Sequence, residues 1–293
     1  MSRSVRIGLA GWDYPDWSGV VYPARSSSRF DRLEWISRFV DVIEVNASFY
    51  RHVAASTSRS WATRVADRPD FRFTAKSHRD WTHGHEDLVE SAVSETLRGL
   101  EPLSTAGRLL CILVQFPQRF HRTEENRRRL ERIRLACDSL PWAVELRHRS
   151  WDHPETFEWL TTHQINWCAI DQPRASRQVL KLIPRVTGKI AYLRFHGRNS
   201  REWFAADTNR DRRYDYLYSG AEVAEFAGCV ESLAKPAEQL VAIQNNHFRG
   251  QALVNALQLL HVLTGERPPA PQELVHHYPA LEDQVTVRRD TLF

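Results

Sequence analysis

Short apolar runs recur eight times along the chain: Arg6–Trp12, Val40–Asn46, Phe71–Ser77, Leu109–Phe116, Trp142–His148, Ile165–Asp171, Lys189–His196 and Leu240–Asn246. Each has the length and the β-branched or aromatic content of a strand. Amphipathic stretches separate most of them. Phe30, Leu33, Ile36 and Phe39 fall at helical spacing, which predicts a helix over Phe30–Phe39. Ser56–Ala66 opens with Ser/Thr cap candidates, and Pro154–His163 starts with proline in its first turn. Helices are also predicted over Asp87–Leu100 (ended near Pro102), Thr123–Leu140 (ended by Pro141), Ser219–Ala234 and Gln251–Leu263 (ended at Gly265). Gln172–Gly188 has the weakest helical signal and is expected to hold a turn or two.

Strand and helix alternating eight times is the pattern of a (β/α)8 TIM-type barrel in an α/β chain, and 293 residues suit one such domain. The barrel is expected over residues 1–265. A Pro-containing tail, 266–293, should pack on the outside or trail from it. The alternative is a doubly wound open sheet. No GxGxxG or Walker A stretch follows any strand, which argues against its nucleotide-binding forms.

One strand is unusual for a buried element. Val40–Asn46 carries Glu44 and Asn46 on one face, while Ile43 and Val45 on the other are apolar. A buried carboxylate is costly unless paired, so Glu44 calls for a partner. Sorting every run by parity, with the apolar set assigned to the helices, puts polar residues on the interior parity of seven strands near their C-terminal ends. They are Glu44 and Asn46, Thr74 and Lys76, Gln115, Glu145 and Arg147, Asp171, Arg194 and His196, and Gln244 and Asn246. Barrel enzymes carry out chemistry at that end. Lys76, Arg147 and Arg194 would balance Glu44, Glu145 and Asp171, leaving His196 as a titratable group. The plainer explanation is a buried ion network filling a wide barrel; so many buried polar groups favour a ligand site instead.

The loops at that mouth are rich in rings. Trp12, Tyr14 and Trp17 follow the first strand, Phe49 and Tyr50 the second, Trp81, His83 and His85 the third, Trp151 the fifth, and His247 and Phe248 the eighth. Aromatic clusters of this kind bind sugars or bases. Composition adds little. The net charge of +4 permits anionic partners without requiring nucleic acid. No apolar run approaches about 18 residues and no signal-peptide pattern opens the chain, so a soluble, cytoplasmic protein without membrane contact is expected. Cys111, Cys137, Cys168 and Cys229 show no CxxC or zinc spacing and are read as free thiols.

Several stretches, in this order, resemble the YecE-like family (domain of unknown function 72) over roughly residues 6–264. They are Gly8-Leu9-Ala10-Gly11-Trp12-Asp13-Tyr14, Val21-Tyr22-Pro23, Val42-Ile43-Glu44-Val45-Asn46-Ala47-Ser48-Phe49-Tyr50, Thr82-His83, Gln115-Phe116-Pro117, Ala143-Val144-Glu145-Leu146-Arg147-His148-Arg149-Ser150-Trp151, Arg194-Phe195-His196-Gly197 and Asn245-Asn246-His247-Phe248-Arg249-Gly250. None is specific alone; their order is. The resemblance implies a TIM-type barrel and no activity. Gln118 replaces a second proline usual there, and Ala10 replaces a small hydroxyl residue.

The preferred reading is an enzyme, hydrolase- or lyase-type, acting on an anionic, ring-bearing small molecule or nucleotide fragment. Lys76, Arg147 and Arg194 would hold phosphate or carboxylate groups. Glu44, Glu145, His196 and Asp171 supply acid and base. Trp12, Tyr50 and Trp151 would stack on the ring, with Tyr14, Asn46, His83, Gln115, Asn246 and His247 completing the binding set. No cofactor is predicted. Glu44, Glu145, Asp171 and His196 could ligate a divalent metal in a hydrolase or nuclease, but interleaved cations would repel it. A two-carboxylate glycosidase is a further option. Lys76 could form a Schiff base only with a lowered pKa, and the adjacent acids should raise it. Non-catalytic classes are a scaffold, or a nucleic-acid binder using the basic helix with Arg127, Arg128, Arg129, Arg132 and Arg134, which otherwise reads as a solvated barrel wall. The oligomeric state is left open.

Overall fold

The structure, a computed structural model, describes residues 4–84, 88–138, 140–173, 176–203 and 210–288. Eight strands pair in chain order and all in parallel: β1 (Val5–Ala10), β2 (Val42–Val45), β3 (Arg72–Lys76), β4 (Leu109–Gln115), β5 (Trp142–Glu145), β6 (Asn166–Asp171), β7 (Ile190–Phe195) and β8 (Gln239–Gln244). β8 returns to pair with β1, which closes a (β/α)8 barrel and excludes the open doubly wound sheet. At Gly8, opposite Val42, an added Cβ would lie 1.8 Å from the Val42 carbonyl oxygen. Only glycine lets these two strands approach so closely.

The helices are α1 (Arg32–Ile36), α2 (Ala55–Arg64), α3 (Val89–Thr105), α4 (Glu124–Ala136), α5 (Pro154–Thr162), α6 (Ser200–Trp203), α7 (Gly220–Ala234), α8 (Gln251–Thr264) and α9 (Gln272–His277). Several of their starts are chemically marked. The Asp31 side chain accepts from the Leu33 and Glu34 amides, Thr123 from Asn126, and Ser219 with Glu222 forms a reciprocal capping box. Gly265 stops α8 in the left-handed conformation (φ 71°). α3 runs through Pro102 to Thr105, beyond the expected stop. Proline forfeits one backbone bond there, while Pro102 and Leu103 are both buried. The described part of the β6–β7 link holds no helix.

The tail builds regular structure. β9 (Pro269–Pro271) pairs in parallel with β10 (Thr286–Arg288), and Ala270, Leu274, Leu281 and Val285 are buried. The Tyr278 hydroxyl donates to the Arg249 carbonyl, tying the tail to the loop after β8.

Two parity assignments are reversed. Cys168 and Ile170 of β6, and Val241 and Ile243 of β8, belong to the apolar cluster inside the barrel, with Val42, Cys111 and Leu113. Asp171, Gln244 and Asn246 therefore lie on the outer parity. The lower barrel is filled by apolar side chains, so both faces of these strands are apolar. One polar residue at the end of such a run is a poor guide to which face looks inward.

Candidate active site

At the C-terminal end of the strands, β2, β5 and β7 converge on one guanidinium. Arg194 is fully buried, and its Nη2 donates to Glu44 Oε1 at 2.7 Å. Its Nη1 donates to Glu145 Oε2, and to Gln115 Oε1 at 3.2 Å. The other Glu44 oxygen accepts the Tyr192 hydroxyl at 2.8 Å, and Thr74 Oγ1 lies 2.8 Å from that hydroxyl. Arg147 reaches back to Glu145 Oε1 with Nε and Nη2, both at 2.7 Å. His196 Nε2 stands 3.6 Å from Glu145 Oε1, and its Nδ1 is 2.7 Å from Asn245 Nδ2. The partner that Glu44 required is Arg194, shared with Glu145.

This wiring sets the charges. Burial alone would raise the Glu145 pKa, but Arg194 and Arg147 outweigh it and hold the carboxyl well below its usual range. Burial likewise works against the Arg194 charge, and Glu145 and Glu44 more than restore it. His196 goes the other way. Burial, and then Arg194, push it down to about 3, so it is a neutral ring at pH 7.

Lys76 stands apart. It lies on the interior parity of β3, partly exposed, with its Nζ 5.9 Å from the Phe49 ring centroid. Among the described residues no acceptor lies within hydrogen-bond distance of Nζ. Burial and then Arg194 pull its pKa down to about 7, against Glu44 and Glu145, with Arg147 adding to the fall. The expectation that the neighbouring acids would raise it is thus overturned. Both carboxylates are already committed to Arg194, and Glu145 to Arg147 as well.

The other expected site residues divide. Asn46 is half-buried beside Gly11, and His83 lies edge-on to Phe49 at 5.4 Å with its Nδ1 on Thr82 Oγ1. Tyr14 stacks on His247 at 4.2 Å, and Tyr214 tilts over the same ring. Tyr50 is 53% exposed, edge-on to Phe49. Trp12 sets its edge against Trp61 of α2. Three expectations need correction. Trp151 is buried, stacked on Phe120 with Nε1 bonded to the Phe120 carbonyl, so it offers no face to a ligand. Asp171 is bound outside the barrel by Arg198 (2.9 Å) and the Tyr218 hydroxyl (2.7 Å). Asn246 bonds to Asn255 and the Tyr216 carbonyl. Its neighbour Asn245 is the one that faces His196.

Thr74 lies on the interior parity as expected, but the sequence reading gives no place to Tyr192 or Asn245, although Tyr192 shares the parity of Arg194 two residues on. Without Asp171, the four metal-ligand candidates do not come together, and Arg194 lies among the rest. The described residues do bring together His52, His78 and Asp80 on the loops after β2 and β3. There the imidazoles stack face to face at 3.9 Å, and His78 Nδ1 accepts the Asp80 amide as a helix cap. One ligand atom from each of the three lies within 4.8 Å of the others. On α4, Arg128 pairs with Glu124, Arg134 with Glu131, and Arg129 donates to the carbonyls of Trp81, Asp80 and Gly84. His85 lies outside the described residues. The four cysteines are free thiols. Among the described residues no helix is long and apolar enough to cross a membrane.

Known proteins share both the sequence and the barrel. The chain is 28% identical over 286 residues to the UPF0759 protein YunF of Bacillus subtilis (strain 168), covering 92% of this chain and 99% of that one. Among solved structures, a DUF72 family protein from Thermotoga maritima MSB8 superposes with a TM-score of 0.77 at 32% identity, covering 88% of this chain and 98% of the other. A DUF72 family protein from Enterococcus faecalis V583 gives 0.78 at 28%, covering 88% and 95%. The sequence profile of the family described as "Protein of unknown function DUF72" matches residues 6–276, and the chain belongs to that family.

Proposed function

We propose that the barrel is an enzyme whose C-terminal mouth binds a small organic anion, a carboxylate or a phosphate, and moves protons with Lys76. One observation carries this reading. With Asp171 outside the barrel, the cluster holds three cationic groups, Lys76, Arg147 and Arg194, against two carboxylates, Glu44 and Glu145. The charge left over sits on the amine that has no acceptor among the described residues. An anion bound there supplies the missing countercharge.

The roles divide by chemistry. Arg194 is locked between two carboxylates and organises the floor. Arg147, with its side chain 16% exposed, still offers donors to a ligand. Lys76, poised at about 7, suits acid–base work at neutral pH; His196, at about 3, does not, and serves as a fixed hydrogen-bonding ring. A ring carried by the anion would meet Phe49 and Tyr50, whose rings are 5.1 Å apart.

Isothermal titration calorimetry with inorganic phosphate and with a panel of small carboxylates tests the proposal. Binding should weaken as salt rises and drop roughly tenfold or more in Arg147→Met. Asp171→Asn should leave it unchanged while lowering stability. Equal loss in Asp171→Asn, or no binding by any anion at low salt, would rule the reading out.

A further inference from the structure

We infer that Lys76 is an imine-forming amine, so that the anion bound at the mouth is an aldehyde or ketone whose carbonyl carbon Lys76 captures. The inference rests on the anion site proposed above and adds its substrate class.

The first support is geometric. Lys76 Nζ has no acceptor among the described residues, and the residue is partly exposed, beside Arg194 and Glu145, which are fully buried. A lysine kept for structure pairs with a carboxylate. Here both nearby carboxylates are held by the guanidinium of Arg194. The fixed positive charge beside the amine favours its neutral form, which is the nucleophile.

The second support lies in the composition. Only four of the forty basic residues are lysines: Lys76, Lys181, Lys189 and Lys235. The other three are exposed, and Lys189 pairs with Glu238 on the surface. This chain therefore meets almost every need for a positive charge with arginine. The one lysine inside the barrel stands where arginine cannot substitute, because a guanidinium does not give up its proton near neutral pH and an amine can.

The step balances without an outside oxidant or reductant. The neutral amine attacks the carbonyl carbon, a C–N bond forms, and the π pair moves to oxygen. The nitrogen gives up its two protons, the oxygen takes them, and the C–O bond breaks to release water, leaving the imine. Arg147 is the group placed to hold the substrate's carboxylate or phosphate during capture. Glu145, kept ionised by its two arginines, faces the cationic iminium that protonation of the imine gives.

Reductive trapping tests this on the full chain. The protein is incubated at pH 7.5 with pyruvate, or with glyceraldehyde 3-phosphate, then treated with borohydride and read by intact mass and peptide mapping. A single reduced adduct on the Lys76 peptide is expected, formed at least ~10-fold faster than on Lys181, Lys189 or Lys235, and absent in Lys76→Arg. Accessibility alone predicts the opposite order, with Lys76 labelled last. Lactate and inorganic phosphate, which have no aldehyde or ketone carbonyl, should give no adduct but should slow trapping. If labelling follows exposure while calorimetry still detects lactate or phosphate at the mouth, the imine inference is overturned and the anion site stands. If neither trapping nor anion binding occurs, both fall.

Discussion

Replacing Lys76 with methionine gives a measurable consequence for stability. The stem of methionine fits the space of the lysine stem and carries no charge. In the unfolded chain the amine titrates near 10.5; in the fold, burial and Arg194 bring it to about 7. The folded-state pKa of this cation is lowered, so between pH 7 and 10.5 the unfolded chain binds more protons than the native one. Wild-type stability must therefore rise with pH through that window, and the cost is fully present below pH 7. Between pH 6 and pH 9 the two titrations differ by roughly 2.5 kcal/mol. Water screening at this partly exposed side chain brings the expected change to about 1–2 kcal/mol. Lys76→Met should be more stable than wild type at pH 6, and the gap should shrink by that amount at pH 9. Urea unfolding of both proteins at the two pH values measures it, because titrating groups distant from Lys76 cancel in the difference. Parallel pH profiles for the two proteins would mean that Lys76 titrates in the fold as it does in water, and the reasoning would fail.

Two further perturbations probe the same cluster. Glu145→Gln leaves Arg194 and Arg147 short of a countercharge and should destabilise the fold by about 3–5 kcal/mol, read by chemical denaturation; a loss under about 1 kcal/mol would show that the buried network is not the floor of the site. His196 is buried neutral at about 3, so the unfolded chain takes up a proton near pH 6.5 that the fold refuses. Stability should fall by about 2 kcal/mol between pH 7.5 and pH 5, and His196→Gln should flatten that acid limb. An unchanged slope would place a charged imidazole in the fold.

The architecture was legible because its signal is repetitive. Eight apolar runs with helical spacers leave little choice of topology, and the family stretches agree with it. The core of the site was legible for a local reason. Glu44, Glu145, Arg147 and Arg194 are charges inside apolar strands, and such charges must meet one another. Where the polar signal lies only at the end of a doubly apolar strand, parity fails. Parity puts Asp171 and Asn246 on the wrong face and favours Asn246 over Asn245, the residue that meets His196. Ring content was also a poor guide to exposure. Trp17, Trp81 and Trp151 are all buried, each spending its indole N–H on a partner within the protein. The lowered pKa of Lys76 is not legible from charge content, because sequence does not show that arginine takes up both nearby carboxylates. The reversal of Asp171 matters most. It turns a cluster that looked neutral into one with a cation to spare.

The ionisation of Lys76 itself is the most direct test of that excess charge. With only four lysines in the chain, ε-carbon labelling and heteronuclear NMR give four resolved signals, and Lys76→Arg assigns the one in question. Followed against pH, its shift should move with a midpoint near 7 in the free protein, and the midpoint should rise when phosphate or a small carboxylate is added, because a bound anion favours the ammonium form. A midpoint near 10, unmoved by either anion, would contradict the account.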